Sequence, residues 1–203
     1  AEIMRNIYRF LIGAAAVTSL FSCSFFDVKP QVICSDTFYN SEAEVKYGLA
    51  GVYGAISKEQ FYGNFYSLMY ANVDDLCYFN RDISTNYLQY CRHNASTSQV
   101  YDIWTAIYQG VNNANAFMEA VVETNYDKEG RYFNEARFLR AYYHFLLAQS
   151  FGDVPLRTKA VKTPDEVMSP ATPQYDILTW AAAEMEACLP LASEEVTEQP
   201  SRV

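Results

Sequence analysis

Few residues of this chain have the types and spacing to do chemistry. Asp74-Asp75 is a pair of adjacent carboxylates. Hydrolysis of a glycosidic bond needs two carboxyls facing the bond from opposite sides, about 5–9.5 Å apart. Sequence neighbours seldom converge that way, so a solvated loop or a helix end is the better reading of this pair. His144 has no Cys, Ser or acid pattern nearby of the kind that activates a nucleophile, and His93 is the one other histidine. The five cysteines form no C-x-x-C pair, and no zinc-ligand spacing emerges. A Gly-rich phosphate loop and a nucleophile elbow are both missing. The expectation is a protein that is not an enzyme, with no cofactor and no metal site.

One cysteine does carry a chemical signal. Arg5 and Arg9 precede an apolar run from Phe10 to Phe21. That run is too short for a bilayer span, which needs about 20 apolar residues, and has the proportions of a secretory signal. Leu20-Phe21-Ser22-Cys23 follows: an apolar residue, a small one, then Cys. It resembles a bacterial lipobox, so residues 1–22 are expected to be removed and Cys23 to become a lipidated first residue. The remaining cysteines are Cys34, Cys77, Cys91 and Cys188. In an exported chain Cys77 and Cys91 are the nearest candidates for a disulfide, and scattered free thiols are an equal reading.

Composition narrows the ligands. Of 203 residues, 50% are hydrophobic and 19% charged, with a net charge of −9. That balance supports a packed core and argues against nucleic acid, which needs clustered Lys and Arg. Tyr occurs 17 times and Phe 13 times, against two Trp. A tyrosine combines an apolar ring with a polar tip and suits half-buried or ligand-contacting surfaces.

The elements that position these residues read as helices. Residues 23–40 form an extended tether. Ser41-Glu42-Ala43-Glu44 is a capping box, and Val45, Leu49, Val52, Tyr53 and Ile56 follow at helical spacing. A second helical stretch is predicted over about 62–73, and residues 74–97 read as a long loop. Ser96-Thr97-Ser98-Gln99 is a second capping box. It opens a helix whose face carries Val100, Ile103, Trp104, Ile107, Tyr108, Val111, Met118, Val121 and Val122, interrupted by Asn112, Asn113 and Asn115. A helix over 131–151 is apolar nearly all round and is predicted to be buried, with Gly152 as its stop. Thr163-Pro164-Asp165-Glu166 caps a short helix ending near Pro170, and Thr172-Pro173 opens a last one. Trp104, Tyr108, Phe138, Tyr142 and Tyr143 are predicted to pack in the core. Glu135, Arg137, Arg140 and His144 read as structural. No strand pattern stands out. The fold expected is all-α, built of tetratricopeptide-like helical hairpins with long irregular loops.

Several blocks in order resemble the N-terminal part of the SusD/RagB family, nutrient-binding lipoproteins of the outer membrane. They are Cys23 to Pro30, Phe38 to Tyr53, and Trp104 to Tyr108 with Asn112 and Ala114-Asn115. The most specific is Glu135 to Leu147 (Glu-Ala-Arg-Phe-Leu-Arg-Ala-Tyr-Tyr-His-Phe-Leu-Leu), followed by Phe151-Gly152-Asp153-Val154-Pro155-Leu156. His144 departs from the family, which commonly has another aromatic there. Family members are usually more than twice this length, so residues 41–203 are expected to be a truncated N-terminal domain. The resemblance implies a surface protein on the outer membrane, held through a lipid anchor. It would bind an oligosaccharide or a peptide without cleaving it, and deliver it to a SusC-like TonB-dependent transporter. It also implies that ligand-contacting aromatics come from the loop before the Trp-bearing helix. Tyr78, Phe79, Tyr87 and Tyr90 are the candidates there. The competing reading is a lipid-anchored helical scaffold that binds only a partner protein.

Overall fold

The structure, a computed structural model, describes residues 38–64, 66–67, 76, 88 and 91–191. Four α-helices dominate: α1 (Glu42–Tyr53), α2 (Ser98–Val122), α3 (Arg131–Phe151) and α4 (Gln174–Cys188). The expected all-α class holds, and among the described residues the extended backbone makes a single isolated bridge, Val154 to Thr172. No helix among these residues is long and apolar enough to cross a membrane.

Helix α1 starts as its sequence predicts. Ser41 is the N-cap, and its hydroxyl accepts from the Glu44 N–H at 3.3 Å. Glu44 reaches back one residue further than an ideal box, to the Asn40 N–H at 2.7 Å. The second box does not form. Thr97 is the N-cap of α2 without a side-chain bond to the helix, and its hydroxyl accepts from the Asn94 N–H instead. Ser96 donates its N–H to Asn94 Oδ1, so the chain enters α2 through an Asn-centred turn. The predicted helix over 62–73 is also altered. A π-type turn, Glu59–Gly63, kinks at Phe61; Tyr66 and Ser67 are helical, and the rest of that stretch lies outside the described residues. The short helix after Thr163 is a single 3-10 turn, Pro164–Val167.

The helices pack as consecutive antiparallel hairpins. Along the α2–α3 seam, Trp104 meets Phe151, Gly110 meets Tyr143, and Asn115 meets Arg140. Along α3–α4, Arg140 meets Glu184, His144 meets Trp180, and Ala148 meets Gln174. Helix α1 and the turn after it close the other side, with Ala55 of the turn near Gly110 and the Tyr143 hydroxyl donating to Val52 O of the helix at 2.7 Å. This is the tetratricopeptide-like arrangement expected of the sequence. The core joins Val45, Leu49 and Val52 of α1 to Ile103, Ile107 and Val111 of α2, and these in turn to Ala136, Leu139 and Leu147 of α3. Tyr39 adds its ring edge to Phe117, at 6.0 Å between centroids.

Helix α3 is buried as predicted, with one correction. Phe138 is 40% exposed, because no described element covers that face. Its C-terminus ends at Gly152, whose φ of 77° is a conformation that disfavours a side chain. The turn lets the chain run back extended along α2 and α3. Asp153 then caps α4, accepting from the Gln174 N–H at 2.9 Å.

Close helix approach sets a testable limit. A Cβ at Gly110 would lie 2.8 Å from the Tyr143 ring and 3.1 Å from Ala55 Cβ, and Tyr143 is fully buried. Gly110→Ala is therefore expected to destabilise the fold by about 1–3 kcal/mol through overpacking. Gly51 has nothing within 4 Å of the same atom. Gly51→Ala is expected to stabilise it by about 0.5–1 kcal/mol. Urea denaturation midpoints of the two variants check both signs.

Candidate functional site

The extended segment after Gly152 walls a concavity whose lining lies wholly among the described residues. Backbone that runs extended outside a sheet must find other partners for its N–H and C=O groups. Two helices supply them as side chains. From α2, Tyr108 donates its hydroxyl to Pro155 O at 2.7 Å, and Asn115 Nδ2 donates to Arg157 O and Lys159 O at 3.1 and 3.0 Å. Glu119 accepts from the Ala160 N–H at 2.9 Å, and Asn112 accepts from Val161 at 2.8 Å. From α3, His144 Nε2 accepts from the Arg157 N–H at 3.0 Å, and Arg140 Nη1 donates to Thr158 O at 3.2 Å.

A cavity of ≈ 460 Å³ remains between this segment and α2. Trp104, Thr105, Tyr108, Gln109 and Asn112 form its helical wall. Pro155, Arg157, Lys159, Val161 and Val167 form the facing wall. The Trp104 and Tyr108 rings lie 4.8 Å apart and tilted by 52°, and Phe151 fixes the indole from behind at 5.1 Å. Trp104 and Tyr108 do pack against the core as predicted, but each is only partly buried and lines this space. Burial pushes the Tyr108 hydroxyl up, so it stays a neutral donor. Helical spacing could not reveal the cavity, since its second wall lies some 40 residues away in the chain.

Behind the segment sits a charge cluster. Glu184 of α4 accepts from Arg137 Nε and Nη2 at 2.9 and 2.6 Å and from Arg140 Nη2 at 2.7 Å. The Arg137 guanidinium holds the Glu184 carboxyl below the usual carboxylate range. Arg140 also donates to Asn115 Oδ1 at 3.1 Å and lies over the Trp180 ring at 5.5 Å. His144 is fully buried, with Nδ1 bonded to Arg140 O at 2.9 Å. Accepting at Nε2 and donating at Nδ1 defines a neutral tautomer. Burial, with the nearby Arg140 charge adding to it, pushes the ring's pKa down to about 4. The structural readings of Arg137, Arg140 and His144 hold, and Glu135 accepts from the Tyr53 hydroxyl at 2.7 Å.

Cys23, Tyr78, Phe79, Tyr87 and Tyr90 lie outside the described residues, as do Asp74 and Asp75. Cys91 and Cys188 are free thiols. Among the described residues, no group of three or more His, Cys, Asp or Glu is placed to hold a metal ion.

A SusD-like family model, described as starch-binding and associating with outer membrane, matches residues 24–203. The chain belongs to the SusD-like family. A SusD-like protein of Formosa agariphila is 30% identical over 173 residues, covering 81% of this chain and 33% of its own length. The chain thus spans about a third of that relative. Among solved structures, a SusD-like carbohydrate binding protein from Bacteroides fragilis superposes with a TM-score of 0.69 at 24% identity, over 81% of this chain and 34% of its own. A laminarin binding SusD-like protein gives 0.68 at 23%, over 79% and 36%. These two likenesses establish the SusD-like fold of the helical hairpins.

The cluster predicts how stability depends on residue and pH. Glu184→Ala strands two guanidinium groups, one of them buried, and is expected to cost about 3 kcal/mol. His144 binds a proton less readily folded than unfolded. Its contribution is full above the unfolded value near pH 6.5. It is lost as pH falls through about 4, a change on the order of 3 kcal/mol. In His144→Gln the stability should vary less with pH between 6.5 and 4. Urea midpoints measured across that window check both variants.

Proposed function

We propose that this chain is a non-catalytic glycan-binding lipoprotein of the outer membrane, anchored through Cys23 and facing the exterior. It takes up an oligosaccharide and hands it to a SusC-like TonB-dependent transporter. The observation that carries this reading is the family match, which begins at residue 24, directly after the cysteine that the sequence marks for lipidation. The carbohydrate-binding and laminarin-binding neighbours support a glycan as the ligand class.

In this reading the ligand platform is the 74–97 segment, with Tyr78, Phe79, Tyr87 and Tyr90 stacking on sugar C–H faces. Each such contact contributes about 0.5–1.5 kcal/mol by analogy with aromatic pairs. Replacing all four by alanine in the full chain should weaken laminarin- or starch-oligosaccharide binding by at least about tenfold. Unchanged affinity in calorimetry rejects the platform.

The anchor has its own test. Cys23→Ala should abolish incorporation of labelled palmitate and move the protein out of the outer-membrane fraction. Labelling that survives the substitution removes the lipidation assignment. Pull-down of a TonB-dependent transporter with the wild-type protein supports delivery. Partner capture without any glycan binding supports a protein-binding scaffold instead.

A further inference from the structure

The cavity between α2 and the extended segment has a charge that the rest of the chain does not share. The chain carries −9 overall. The twelve residues that line the cavity include Arg157 and Lys159 and no Asp or Glu. Carboxylates nearby are already engaged. Glu119 bonds the Lys162 ammonium at 2.8 Å and the Ala160 N–H, and Glu166 accepts from the Lys162 N–H. The Arg157 guanidinium is held by two backbone carbonyls, those of Glu166 and Val167, which fix its position and leave its charge uncompensated. Lys159 is exposed and makes no ion pair among the described residues, although its charge reaches the Glu119 carboxylate. Asn112 has given its oxygen to Val161, so its NH₂ is the group it can offer. Opposite these donors stand the Trp104 and Tyr108 rings.

We infer that this cavity is a second saccharide subsite, selective for a pyranose ring that bears a carboxylate or a sulfate. Its volume falls within the roughly 300–1,000 Å³ of small-ligand sites. The Trp104 and Tyr108 side chains meet the apolar face of the ring, while Lys159 and Arg157 meet the anionic substituent through charge-assisted hydrogen bonds. The anion preference rests on the lining alone. The choice of a saccharide rests on the glycan-binding reading above, but the site uses no residue of 74–97.

Calorimetric titration of the full chain with trigalacturonate, sulfated galactotriose and neutral galactotriose tests this. Wild type should bind at least one acidic trisaccharide about tenfold or more tighter than the neutral one, and the better arm identifies carboxylate or sulfate. Lys159→Glu lies on the surface and should leave the circular dichroism and melting curve intact. It should abolish the preference without weakening the neutral sugar. Raising salt should also weaken the acidic arm selectively. Equal affinity for the acidic and neutral sugars overturns the inference, as does an acidic-over-neutral preference that survives Lys159→Glu. The cavity fails separately from the loop: an acidic preference lost in the four-alanine variant and retained in Lys159→Glu places the anion at 74–97 and overturns the cavity site. Failure to bind any of the three sugars overturns the inference, and failure with laminarin and starch oligosaccharides as well overturns the glycan reading.

Discussion

The Arg140 guanidinium is the junction on which this architecture depends. From one buried position on α3 it reaches α4 through Glu184, α2 through Asn115 and the extended segment through Thr158 O. A buried cation is costly unless it is paired and hydrogen-bonded; Arg140 achieves this through both terminal nitrogens, while its buried Nε has no hydrogen-bond partner among the described residues. Here the partners come from three different elements, so satisfying the charge also sets their spacing. Arg137 shares the Glu184 carboxylate, which makes that acid the acceptor for two helical turns of α3 at once. His144, one turn further along, continues the same face and fixes the Arg157 N–H. Residues 137, 140 and 144 thus form a polar stripe along an otherwise apolar helix, and that stripe is where the extended segment and α4 attach.

Tyrosine does the corresponding work on the drier side of the hairpins. The Tyr143 hydroxyl donates to a carbonyl in the last turn of α1, Tyr108 to Pro155 O, Tyr132 to Glu42 and Tyr53 to Glu135. Each ring fills or borders core volume while its tip meets an acceptor: for Tyr143 a buried carbonyl, for Tyr132 the Glu42 carboxylate, which is exposed and also pairs with Lys46. The abundance of Tyr over Trp is then partly a packing solution. An indole has one donor on a larger body, whereas a phenol carries its donor at the far end of the ring, where a neighbouring helix presents its carbonyls.

Much of this was legible in the sequence, and the limit is physical. Helix faces such as Ile103, Ile107 and Val111 repeat with the helical period because each contacts the same neighbour along its length. The stop at Gly152 and the cap at Ser41 are local and were read locally. Asn112 and Asn115 read as weak points of a helix, when in the fold they are the ligands of backbone some 40 residues away. That partnership has no period, because extended chain outside a sheet imposes none on the helix that serves it. Phe138 shows the converse: apolar character predicts burial only if another element arrives to cover it. The box at Ser96 had the right residues, but Asn94 makes its own turn and takes the Ser96 amide.

The chemistry of the cavity follows from how the extended segment is held. Its backbone N–H groups at Arg157, Ala160 and Val161 consume acceptors: His144 Nε2, Glu119 and the Asn112 oxygen. Its carbonyls at Pro155, Arg157 and Lys159 take neutral donors from Tyr108 and Asn115, and the one at Thr158 takes the Arg140 guanidinium. The anionic side chain that helps to hold the segment is therefore turned to its backbone, while the cationic side chains of the segment itself, Arg157 and Lys159, are not needed for that purpose. Arg157 is instead clamped by carbonyls of the next turn, where its hydrogen bonds are met without a countercharge. A segment anchored this way leaves a positive lining in an acidic protein. The aromatic wall of α2 is present for packing reasons, and the positive lining for backbone reasons. Their meeting across one cavity joins an apolar face to an anion-seeking one.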